Sequence, residues 1–255
     1  MSAAAGIAPG QTVQDLQDEM RRHLDAGYTM VKMKVGGLPL AEDLRRVEAV
    51  KAILPGNARS LRSMPTRKFD RDEALAYAKA LAPFQLRWFE EPCDPLDFAL
   101  LAEIARVYEP PLSTGENLFS TQDVENLVRF GGLRPERDDV IQVDPPQAYG
   151  IVQYARTRRH AGAPRLAAQR LFPHGGNQMS LAIAAGFGLG GAESYPGVFG
   201  AFGGFADDAR LDGGYLHAVR PARHRLRRPV GVVCPHARAR RRDRTASDSA
   251  DAKDT

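Results

Sequence analysis

The sequence predicts an α/β fold built as a parallel barrel, and three observations carry that prediction. Short apolar runs alternate with longer stretches at helical spacing, a repeat that lays strands side by side and returns the chain over their outer face. Several of these runs end in a polar signature: Lys32-Met33-Lys34, Glu90-Glu91-Pro92, Gly115-Glu116-Asn117 and His174-Gly175-Gly176. The 255 residues, 43% of them hydrophobic, suffice for one closed core, since a single barrel commonly takes about 250 residues.

Taken in order, a stub around Ala3 to Ile7 is the only candidate for a first strand. Gln14 to Ala26 reads as a helix, with Leu16, Met20 and Leu24 at helical spacing and Gly27 as its stop. Tyr28 to Val35 alternates as a strand does, placing Lys32 and Lys34 on one face. Ala41 to Leu54 is helical, and Asp70 to Leu81 is helical again. Between them, Arg62 to Thr66 carries a proline and has none of the character of a buried strand. Leu86 to Phe89 is a short strand ending at Glu90, followed by a helix over Leu96 to Val107. A strand near Leu112 to Gly115 precedes the helix Thr121 to Phe130. Val140 to Val143 is β-branched and ends at Asp144. Ile151 to Arg158 begins a helix whose periodicity fails over Arg159 to Gln169. Leu171-Phe172-Pro173 leads to His174, Met179 to Leu189 is an apolar helix, and Gly190 to Gly214 is expected to be loop. The count reaches seven or eight strand–helix units.

Strand ends that face one rim of a barrel converge on a single site. Two lysines, two or more carboxylates and a histidine on that rim can hold a divalent cation and move protons beside it. Each signature alone has a plain structural explanation: lysines two apart make a solvated face, Glu-Glu-Pro suits the start of a helix, and the glycine motifs suit turns. Their order and spacing are what point to chemistry. Adjacent ammonium groups disfavour each other's charge, so one of the lysines can act as a base near neutrality.

Composition narrows the functional classes. No apolar run reaches the roughly 18 residues that span a bilayer, and Met1 to Gly10 lacks the charged start and apolar centre of a secretory signal. Two cysteines, Cys93 and Cys234, do not make a disulfide framework, and the expected compartment is a reducing cytoplasm. The net charge of +4 is a tail effect: Val219 to Thr245 holds ten arginines and one acid, and the remainder has 25 basic and 30 acidic residues, a net charge of −5. The expected division is a barrel domain over residues 1–218 and a basic, disordered tail over 219–255, too poor in apolar groups to offset the entropy of ordering.

Together the four signatures resemble the mandelate racemase and muconate-lactonizing branch of the enolase superfamily. The resemblance implies a TIM-type (β/α)7β barrel of the enolase superfamily, lacking the N-terminal α+β capping domain that precedes it in that family. It implies Lys34 as the base, with Lys32 lowering its pKa. It implies Glu90 and Glu116 as ligands of Mg2+, and His174, paired with Asp144, as the acid. Val31 to Gly37, Thr114 to Phe119, Pro173 to Gly176, Glu193-Ser194-Tyr195-Pro196 and Phe202 to Asp207 resemble, within that branch, the D-tartrate dehydratases. The implied reaction is a carbon–oxygen lyase step on a small acid sugar, D-tartrate, giving oxaloacetate: a cation on the carboxylate offsets the charge of the enediolate formed when the neighbouring proton leaves. Multimeric assembly is also what the resemblance implies.

One position departs from the pattern. The family's first metal-ligating aspartate ends its third strand, and the corresponding residues here, Arg62 to Thr66, hold no acid. Arg62 to Thr66, Arg159 to Gln169 and Arg220 to Pro229 each permit codons that restore the family pattern one base over, so frame errors in the gene or its sequencing are the expected cause. The expected result is an impaired dehydratase. The alternatives are a dehydratase or racemase of another acid sugar, an inactive barrel remnant, and nucleic-acid binding by the tail. The tail's lack of interleaved aromatics argues against nucleic acid, and no membrane partner is expected.

Overall fold

The computed structural model describes residues 2–5, 11–54, 60–65, 68–162, 167–195 and 210–217, with side chains omitted at 2–5 and 160–162. The segment 219–255, read above as a separate tail, and the motif 202–207 lie outside the described residues.

The chain alternates strand and helix: β1 (Ser2–Ala5), α1 (Val13–Asp25), β2 (Met30–Val35), α2 (Leu40–Ile53), β3 (Leu61–Pro65), α3 (Arg71–Leu81), β4 (Trp88–Glu90), α4 (Phe98–Val107), β5 (Leu112–Thr114), α5 (Thr121–Phe130), β6 (Val140–Ile141), α6 (Gly150–Gly162) and α7 (Gln178–Phe187). A short hairpin, β7 (Arg210–Asp212) and β8 (Tyr215–His217), follows. The first six strands form one parallel sheet in chain order, and Leu171 continues it through a parallel bridge to Ile141. This is the α/β architecture that the alternation predicts.

Local chemistry sets the helix starts. Thr12 and Ser120 each close a capping box with an acid three residues on, Asp15 and Asp123, while Asp70, Asp97 and Asn177 cap α3, α4 and α7 through their side-chain oxygens. Each cap satisfies amide donors that the first helical turn leaves without partners, worth about 1 kcal/mol apiece.

Strand alternation divides the apolar residues between two cores. Val31, Met33, Val35, Leu61, Phe89, Leu112, Ile141 and Leu171 pack outward against helix residues such as Leu16, Val47, Ala78, Ile104 and Leu127. Trp88, Val140 and Phe172 form a separate, smaller cluster. Lys32, Arg62 and Trp88 are in register across β2, β3 and β4, and Lys34 is in register with Met64. Side chains of one strand alternate sides, so Arg62 and Met64 share the inner face with Lys32, Lys34, Trp88 and Glu90.

Three expectations need correction. Arg62 to Thr66 was expected to lack a buried strand, yet β3 is buried along all five residues and pairs with β2 over its whole length. Arg62 is accommodated because its guanidinium lies 3.7 Å from the centroid of the Trp88 ring and 5.6 Å from that of Phe172, and an aromatic face is a favourable neighbour for a desolvated cation. Pro65 ends the strand, where its missing amide interrupts little. The helix expected to fail at Arg159 continues through α6 to Gly162. The expected loop over 190–214 includes a strand at Arg210–Asp212: Gly213 and Gly214, both at positive φ, form the turn, and the amide of Gly214 bonds to the carbonyl of Gly27.

No helix among the described residues is long and apolar enough to cross a membrane.

Candidate active site

The inner face at the ends of β2, β4 and β5 carries a compact charged cluster, and alternation along β2 begins it. Lys32 is 2% exposed, and its ammonium donates to Glu90 Oε1 at 2.8 Å and to Glu193 Oε1 at 2.7 Å. Glu90 Oε2 accepts from Trp88 Nε1 at 3.0 Å, and Glu193 accepts from Gln142 Nε2 at 3.2 Å and from the Tyr195 hydroxyl at 2.5 Å. Burial penalises the charge on Lys32, but Glu193 and Glu90 outweigh it and hold its pKa well above the ordinary value. Burial likewise opposes the charge on Glu193, and Lys32 and His174 more than offset it, bringing the carboxyl down to about 2. Two fixed carboxylates satisfy the buried ammonium and more than balance its charge.

Lys34 has a different environment. Its ammonium donates to the thioether sulfur of Met64 at 2.7 Å, and no carboxylate lies within ion-pair distance of it among the described residues. Desolvation, followed by repulsion from Lys32, lowers its pKa. The sequence places the missing carboxylate near Ser63 or Met64. In the structure Met64 shares the face of Lys34, whereas Ser63 pairs with Met33 and Phe89, residues of the outer core.

On the opposite side, His174 Nδ1 lies 2.8 Å from Asp144 Oδ2, and its Nε2 lies 3.4 Å from Glu116 Oε2 and 3.9 Å from Glu193 Oε2. Gly175 sits at φ +100°, and a Cβ there would stand 2.9 Å from Asp144 Oδ2, so the residue after His174 must lack a side chain for this pair to close. Burial disfavours the imidazolium, but the Asp144 bond and the charges of Glu193 and Glu116 raise the His174 pKa. Glu116 moves the other way: burial and then the neighbouring charge of Glu90 push its carboxyl up to about 7.

Lys32, Glu90, Glu116, Asp144 and His174 therefore lie in one cluster, and Lys34 lies beside it on the same face of β2 as Lys32, in contact with Met64. Three contributors were missed as site residues. Glu193 follows α7 at a further inward position, and a strand count carried past His174 would have found it. Arg62 was read only as part of a failed strand, although an arginine between Leu61 and Met64 in a strand between two helices suggests an aromatic or acidic partner. Glu91, at φ +40°, turns its buried carboxylate to Lys68 at 2.5 Å, Asn117 at 2.7 Å and the Gly115 amide at 3.3 Å, fixing the loop that presents Glu116.

The donor set can be tested against a hard divalent cation. Glu116 Oε2 is buried with no hydrogen-bond partner, the kind of acceptor a cation satisfies. Glu90 accepts one donor on each oxygen, and a carboxylate has about four lone-pair sites. Magnesium takes one or two carboxylates and completes an octahedron with water or substrate, so Glu90 and Glu116 fit it. Among the described residues no third protein ligand joins them: Met64 offers a soft thioether, and no group of three or more candidate metal ligands occurs there.

The comparisons agree with this picture. The family described as Enolase C-terminal domain-like matches residues 15–217. The chain is 39% identical over 140 residues to the 3,6-anhydro-alpha-L-galactonate cycloisomerase of Streptomyces coelicolor, covering 55% of this chain and 38% of that one. It is 31% identical over 163 residues to the L-talarate/galactarate dehydratase of Salmonella typhimurium, covering 64% and 39% respectively. In structure it is similar to a Streptomyces coelicolor racemase with bound magnesium, at a TM-score of 0.69 and 28% identity, over 94% of this chain and 64% of that one. The chain thus spans about two fifths of the length of the curated relatives it matches.

Proposed function

We propose, from the premise that the chain belongs to the Enolase C-terminal domain-like family, that its barrel dehydrates a small acid sugar to a 2-oxo acid, and does so slowly. The observation that carries this reading is the placement of Lys34 and His174 around the paired carboxylates Glu90 and Glu116. Lys34, with its charge disfavoured, takes the proton beside the substrate carboxylate. His174, kept charged and oriented by Asp144, protonates the departing hydroxyl, and the enol product rearranges to the ketone. Lys32 anchors Glu90 and Glu193 and adds positive potential next to Lys34. Magnesium, held by Glu90 and Glu116, supplies neutralisation of the enediolate charge when bound.

D-tartrate is the proposed substrate, on the strength of Glu193-Ser194-Tyr195-Pro196 and of the segment 202–207. The dehydratase relative of Salmonella typhimurium favours a second reading, a longer acid sugar such as galactarate. Met64 in place of an acid removes one ligand and one negative charge from the cation site, the basis for expecting impaired turnover.

The test is deuterium exchange. D-tartrate and galactarate are incubated with the purified chain and magnesium in deuterated water, and the α-hydrogen is followed by NMR. Slow exchange of one substrate is expected, abolished in Lys34→Arg; His174→Asn should keep the exchange and lose 2-oxo acid formation. Absence of exchange with both acid sugars at saturating magnesium overturns the substrate assignment, and rapid magnesium-dependent oxaloacetate formation overturns the impairment.

A further inference from the structure

We propose that Lys34 is an imine-forming residue whose amino group condenses with the ketone of a small 2-oxo acid at the mouth of the barrel. This activity needs no cation and does not rest on the dehydratase reading, which uses Lys34 as a base.

The contrast between the two lysines of β2 carries the inference. Lys32 and Lys34 share one face, two residues apart, yet Lys32 is fixed by two carboxylates while Lys34, among the described residues, donates to a thioether alone. An amine is nucleophilic when its charged form is poorly supported, by desolvation or by a cationic neighbour. Lys34 has both conditions, and its lowered pKa is in keeping with them. Met64 supplies no charge to oppose them: an acid in register with Lys34 would hold the ammonium as Glu90 and Glu193 hold that of Lys32.

The remaining groups suit the reaction. Condensation joins Nζ to the ketone carbon of the 2-oxo acid, and the carbonyl oxygen leaves as water with the two amine hydrogens, so neither oxidant nor reductant is required. His174 can protonate the departing hydroxyl of the carbinolamine. Glu116 Oε2, buried without a hydrogen-bond partner, can accept from that hydroxyl.

The experiment is reductive trapping with pyruvate and borohydride in the presence of EDTA, read by peptide mass mapping. The expected adduct is on Lys34, saturating with pyruvate, at about tenfold or more the level on the exposed Lys79, because an amine whose charged form is poorly supported is the better nucleophile. Met64→Asp, with its fold checked by circular dichroism, should cut the Lys34 adduct by about tenfold or more, because a neighbouring carboxylate raises an amine pKa by about one unit or more. Lys34→Arg should remove the adduct. Labelling of Lys34 no stronger than that of Lys79, or unchanged labelling in Met64→Asp, overturns the proposal. If Lys34→Arg fails to fold, the Met64→Asp comparison alone decides the matter.

Discussion

Lys34 and Met64 face each other across β2 and β3, ammonium to thioether at 2.7 Å. The pair sits beside Glu90 and Glu116, where a third carboxylate would complete a hard-cation site. Met64→Asp should therefore strengthen magnesium binding by about tenfold or more, since one added charge-assisted ligand readily supplies the 1.4 kcal/mol that tenfold requires. Titration calorimetry, or the rise in melting temperature with magnesium, checks this. Ser63→Asp should give no such gain, because Ser63 belongs to the outer face of β3; a gain at Ser63 would mean that the inner position has been misassigned.

Lys32→Met isolates the buried acids. It leaves Glu90 and Glu193, both essentially unexposed, without their ammonium partner. Removing one partner of a buried ion pair costs about 3–5 kcal/mol, and urea denaturation should show a loss of that order. Lys34→Met, which removes no ion pair, should cost much less. Equal losses would mean that the Lys32 pairs contribute no more than ordinary side-chain burial.

The alternation of apolar runs made the parallel sheet legible, because strand and helix periodicities differ and each barrel strand repeats the pattern. The polar residues after those runs made Lys34, Glu90, Glu116 and His174 legible as one rim. β3 was not legible. Its inward residues are Arg62 and Met64, and nothing local shows that Trp88 and Phe172, distant in sequence, will stack on a guanidinium there. Glu193 was missed for a related reason: its partners Lys32 and Gln142 lie 161 and 51 residues away in sequence.

The charged cluster also sets a pH optimum for stability. Glu193, lowered to about 2 in the fold, binds more protons when unfolded, so its contribution is present above its ordinary pKa of 4.5 and is lost as pH falls toward 2. Glu116, raised to about 7, has the opposite sign: the fold binds more protons, and stability falls as pH rises from 4.5 to 7. His174, also raised, reinforces that decline above 6.5. Without divalent cations the melting temperature should peak near about pH 5. Glu116→Gln should flatten the alkaline limb and Glu193→Gln the acid limb. A peak at neutral pH in EDTA would mean that Glu116 keeps an ordinary carboxylate pKa.

Cys93 offers a check on the packing beneath the Glu90 turn. The thiol is 2% exposed, and burial, followed by repulsion from Asp97 and Asp94, pushes its pKa up to about 12. Only the thiolate reacts with iodoacetamide, and at about pH 8 its population at Cys93 is of the order of one in ten thousand. In a Cys234→Ser background, alkylation of the native protein should be negligible and should rise together with the loss of helical circular dichroism in urea. Coincidence of the two curves indicates that the segment after Glu90 and Glu91 opens only with the whole fold. Alkylation at urea concentrations well below the helical transition would instead show that this rim loop opens first, and with it the support for Glu90.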